Sequence, residues 1–115
     1  MPRLTAPRAT DAERYVLEGE QLLREGEVVV YTVAWPELDN VSSAAVVAFV
    51  GGSTAESVYF SGSDTVSGNI STLPILTVPA GTGGNTLVVE PTVIIGSETR
   101  KTGIIIRILK PGEEP

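Results

Sequence analysis

From Glu27 to Leu109 the sequence alternates runs of β-branched residues with glycine and proline, a reversal arriving about every eight to twelve residues. No other feature constrains the fold as tightly. Valine, isoleucine and threonine lose rotamer freedom in a helix, and their branched side chains pack well on a pleated surface. Together they supply thirty-five of the 115 residues, while 12 glycines and 8 prolines supply the reversals. A chain of this length buries enough surface for one core. With only six aromatic residues, that core is mainly aliphatic.

The pattern sets out the strands. Residues Glu27 to Ala34 alternate, with Val29, Tyr31, Val33 and Trp35 forming the bulkier face, and Pro36 ends the run. Further strands are expected over 43–50, 56–61, 65–72 and 75–78, with a closing hairpin of 86–95 and 101–109. Segment 10–26 is ambiguous. Thr10 and Glu13 could cap a helix carrying Ala12, Val16 and Leu23 on one face. Gly19 interrupts that helix, so a short strand at Gln21–Arg24, turning at Glu25-Gly26, is preferred. The expected organisation is a flexible arm over 1–9, one domain over 10–110 and a mobile tail over 111–115. Seven to eight short strands without intervening helices predict an all-β antiparallel sandwich of immunoglobulin-like architecture; a jelly roll or small barrel shares the rhythm.

Reactive functionality is scarce. No cysteine or histidine is present, which excludes disulfides, thiolate or imidazole metal sites and Ser-His-Asp triads. The net charge is −6, and no lysine or arginine lies between Arg24 and Arg100, so nucleic acid is not an expected partner. No apolar run approaches the ~20 residues of a membrane span, and the N-terminal segment lacks the apolar stretch of a secretory signal. Lys101 and Lys110 sit near strand ends, where solvated charge is ordinary, so a Ser–Lys dyad is not expected. Glu56, Asp64 and Glu90 could pair for glycoside hydrolysis, but each occupies a position suited to a solvent-facing acid. Asp64-Thr65 is similar to the Asp-Thr-Gly signature of aspartic proteases. Val66 replaces the glycine, and a turn acid accounts better for Asp64. Gly81-Thr82-Gly83-Gly84 is followed by no helix and holds no lysine, so a phosphate loop is not indicated. No cofactor is expected; calcium could draw only on Asp39, Asn40 and Asp64.

Several strands are apolar on both faces. Ile104, Ile106 and Ile108 point one way, while Ile105, Arg107 and Leu109 point the other; Val28-Val29-Val30, Val93-Ile94-Ile95 and Ala44 to Val50 behave alike. A lone sandwich keeps its outer face polar, so unless the N-terminal segment covers the central strands, this surplus predicts a protein-contact surface including Val28, Val30, Ile94, Ile105, Arg107 and Leu109, with homo-oligomerisation or a larger assembly as the outcome. The arm residues Pro2, Arg3, Pro7 and Arg8 could also reach a neighbouring subunit.

Tyr59-Phe60-Ser61-Gly62-Ser63, Ser67-Gly68-Asn69, the glycine loop, the closing hairpin and Thr32-Val33-Ala34-Trp35-Pro36 carry a resemblance. The stretch from Ser57 to Leu109 resembles small immunoglobulin-like structural proteins of tailed bacteriophages. That resemblance implies a non-enzymatic virion component (head decoration, head–tail or tail accessory) assembled in the host cytoplasm. A cytoplasmic location outside a virion is the alternative. Two other functions compete with it: a carbohydrate- or cell-surface-binding module, for which Tyr59 and Phe60 are the only adjacent aromatics, and a small dimeric hydrolase centred on Asp64.

Overall fold

A computed structural model describes residues 3–5, 16–35 and 40–114. In chain order these form β1 (Arg3–Thr5), β2 (Val16–Arg24), β3 (Val28–Val29), β4 (Thr32–Ala34), β5 (Ser43–Val50), β6 (Ser53–Thr54), α1 (Glu56–Tyr59), β7 (Phe60–Ser61), β8 (Thr65–Ser67), β9 (Ile70–Thr72), β10 (Ile75–Thr77), β11 (Thr86–Ile95), β12 (Glu98–Lys101) and β13 (Gly103–Leu109). One layer has the order β2-β13-β11-β5-β6, with β12 pairing beyond β13 on the same edge of β11. The opposite layer holds two short sheets, β1-β4-β9-β8 and β3-β10-β7.

Those two sheets are one layer interrupted by a bulge. Thr32 pairs with Thr72, the Leu73 amide donates to the Tyr31 carbonyl at 2.9 Å, and Val29 then pairs with Leu76. The register slips by one residue across this step. Pro74, which has no N–H to give a ladder, lies within it. Joined this way, the strands follow the two-layer order of an immunoglobulin-like sandwich: first, second, fifth and fourth on one layer, seventh, sixth and third on the other. All ladders are antiparallel except β1 on β4 and β2 on β13.

The core lies between the layers. Ala48, Leu87, Val89, Val93, Ile104, Ile106 and Ile108 project from one side, and Tyr31, Val33, Trp35, Leu73, Leu76 and Val78 meet them in a single cluster. The bulkier face of the β3–β4 segment is the buried one, as its alternation predicts. Trp35 anchors it and donates its indole N–H to Ser71 Oγ at 3.0 Å, so the indole's polar edge is satisfied inside. Pro91 sits in the middle of a central strand. Its carbonyl accepts from the Thr102 amide at 3.1 Å, at the joint between β12 and β13, so its missing N–H falls where the ladder is already broken.

Several sequence expectations are corrected. Residues 16–24 are a strand of nine residues, not a helix and longer than Gln21–Arg24; Thr10, Ala12 and Glu13 lie outside the described residues. Arg3–Thr5 are not loose, since they pair with Thr32–Ala34. Residues 56–61 are not one strand: Ala55 donates to the Ala48 carbonyl at 2.7 Å, and a helical turn follows. Residues 65–72 fold back at Gly68-Asn69, where Gly68 takes φ 59°, a region that favours glycine. The tail is anchored at Glu113, which accepts from the Lys110 amide at 2.8 Å and from Arg107 at 2.6 Å. No helix among the described residues is long and apolar enough to cross a membrane.

Candidate functional site

Two surface features exceed what an isolated sandwich requires. The first is the outer face of the β2-β13-β11-β5 layer. Register sets Glu20, Ile105, Val88 and Phe49 side by side across four strands, with Leu22, Arg107 and Thr86 in an adjacent row. Ile105, Val88 and Phe49 are only half-buried, and Leu22 is 41% exposed. Charge fences this apolar strip. Glu20 and Glu90 lie on it, and Arg107 pairs with Glu113 at one end. The Lys110 amide, and then the Arg107 guanidinium, hold the Glu113 carboxyl below its ordinary range.

Of the six residues expected to form a contact surface, Ile94, Ile105 and Arg107 share this face. Leu109 shares their alternation and is nevertheless buried at 3% exposure. The glycine loop folds against the end of β13 here: the Gly84 amide donates to the Ile108 carbonyl at 2.7 Å, and the Gly83 amide donates to Glu25 Oε2 at 2.8 Å. Val28 and Val30 belong to the opposite layer, so the six form no single surface. Val28 is 63% exposed beside Thr77, and Val30 is half-buried. The six candidates leave out Val88, Leu22 and Phe49, although Phe49 lies in the run Ala44 to Val50, which the sequence marks as apolar on both faces.

The second feature is a cleft of about 400 Å³ between β5 and the segment 56–64, lined by Ala44, Val46, Glu56, Ser57, Asp64 and Pro74 among others. It opens where the fourth strand is broken between β7 and β8, beside the Pro74 bulge. One oxygen of Asp64, Oδ2, is buried there without a hydrogen-bond partner. Burial pushes the Asp64 carboxyl up to about 6, against a smaller downward pull from its own amide. Asp64 is thus no ordinary solvated turn acid.

The cleft gathers some of the candidate reactive residues and leaves others out. Glu56 and Asp64 line it together, but Glu90 lies on the outer face of β11, away from them. Val66, which replaces the glycine of the protease signature, packs against the core. Lys101 and Lys110 are exposed and outside the cleft. For calcium, Asp39 lies outside the described residues and Asn40 is exposed; among the described residues no three carboxylates gather as a metal site. The aromatic pair offered for sugar stacking is committed to packing: Tyr59 is 3% exposed, and Phe60 lies against the core.

No protein-family model matches the sequence, and no curated protein matches it. Among solved structures the fold is similar to the titin M10–obscurin-like 1 immunoglobulin complex, at 17% identity and TM-score 0.45 over 82% of this chain and 89% of that one. It is also similar to a chimeric titin Z1Z2 carrying a decorin peptide, at 13% identity and TM-score 0.44 over 96% and 92%.

Proposed function

We propose that this chain is a non-enzymatic assembly module that binds protein through the outer face of the β2-β13-β11-β5 layer, and that it serves in the virion of a tailed bacteriophage. The observation that carries the first part is the row of Ile105, Val88 and Phe49 across three adjacent strands. Half-exposed aliphatic and aromatic side chains in register form an apolar strip with charged groups beside it, which suits burial against another protein. The virion placement rests on the sequence resemblance alone. Assembly in the host cytoplasm goes with it, and neither needs a cofactor.

A Val88→Lys substitution tests the contact face. It places an ammonium on the outer face and leaves the inward neighbours Leu87 and Val89 untouched. The variant is expected to keep its circular dichroism spectrum and to sediment as a monomer at concentrations where the native chain associates. A native chain that stays monomeric at millimolar concentration, alone and in the lysate of its producing cell, overturns the reading. Antibody labelling of particles released on lysis tests the virion placement separately.

A further inference from the structure

We infer that the free edge of β5, together with the Asp64 cleft, accepts an extended segment of another protein by strand addition, and that a lysine or arginine of that segment pairs with Asp64. In an extended strand the N–H and C=O of one residue point to the same side. The Ala48 carbonyl accepts from the Ala55 amide, on the side of β5 away from β11. By alternation Ala44 and Val46 aim their N–H and C=O groups the same way. Strand β6 covers only Phe49 and Val50, so among the described residues no strand pairs with β5 beside Ala44 and Val46.

Natural sheet edges are blunted by charge, proline or a covering element. Residues 43–50 carry neither charge nor proline, and Ala44 and Val46 open onto the cleft. An added strand would satisfy their backbone groups, as peptide-binding edges do. Asp64 lines the same cleft, and its carboxylate has one oxygen, Oδ2, without a hydrogen-bond partner. Among the described residues no cation lines the cleft, and none occurs between Arg24 and Arg100 in the sequence. A second copy pairing β5 to β5 would therefore bring no cation to Asp64. A basic segment of a different chain brings one. This inference stands apart from the outer face, which lies on the other side of β5.

The test uses the whole chain and two short blocked peptides of alternating threonine and valine, one with a central lysine and its twin with a central glutamate. Amide exchange and NMR titration read the result. The lysine peptide should slow exchange at Ala44 and Val46 and bind about tenfold more tightly than its twin, the scale of one charge-assisted hydrogen bond. Asp64→Asn should bring the two affinities together and keep the protection. Ala44→Pro, at an edge position whose N–H faces outward, should abolish binding of both. Equal affinity of the peptides for the native chain, or no protection at Ala44 and Val46, overturns the inference. So does a dimer of the chain that Ala44→Pro dissolves, since the edge would then belong to a second copy.

Discussion

Asp64 gives up solvent at one carboxylate oxygen and gains no hydrogen bond there, so its charged form is disfavoured in the folded chain. The sign follows from linkage. With the carboxyl raised from 3.8 to about 6 on folding, the folded state holds its proton longer than the unfolded state does. Stability is therefore greatest below the lower value and declines as pH rises through the upper one. Asp64→Asn should remove this decline, raising stability at pH 7 by ~1 kcal/mol after allowance for solvent screening of a half-exposed group. Thermal melts of both proteins at pH 4 and pH 7 check it: the variant should gain at pH 7 only. Ser71 presents the opposite case, a buried hydroxyl with a defined task. Ser71→Ala leaves the Trp35 N–H unpaired in the core and should cost ~1–2 kcal/mol by urea denaturation.

Element by element, alternation and turn chemistry decided what could be read in advance. The strands at 43–50 and 86–95 match their expected bounds, because mostly apolar, glycine-free runs lie between strong breakers. The hairpin inside 65–72 escaped, because Ser67-Gly68-Asn69-Ile70 keeps the alternation of one strand while the backbone reverses at Gly68. The helical turn at 56–59 escaped as well. It follows directly on the bond from the Ala55 amide to the Ala48 carbonyl, which extends the hairpin turned at Gly51-Gly52 by one residue beyond β6. The glycine loop was legible as a connection, but its docking was not. A Cβ added at Gly83 would stand 2.8 Å from the Lys110 Cα, which is backbone and cannot move aside cheaply. Gly83→Ala should therefore destabilise the protein by ~1–3 kcal/mol and loosen the end of β13. Hydrogen exchange at Ile108 and Leu109 checks that outcome.

Taken whole, the molecule explains why an excess of apolar strand residues was visible from sequence and its partition between faces was not. Alternation groups Ile105, Arg107 and Leu109 together; only the fold shows that Leu109 is buried. Likewise Val28 and Ile105 look alike along the chain and end on opposite layers. The cleft was invisible because it forms where a broken strand, a proline bulge and a free edge meet, far apart in sequence. If the outer face drives association, the melting temperature should rise by roughly 2–4 °C for each tenfold increase in protein concentration, and Val88→Lys should flatten that dependence. Scanning calorimetry over a dilution series measures it. Trp35 has a further use here. It is the sole tryptophan, buried in the layer opposite the outer face, so its emission should stay blue while partners come and go on that face and shift red only when the sandwich opens. The chain thus carries its own optical gauge for separating lost binding from lost folding.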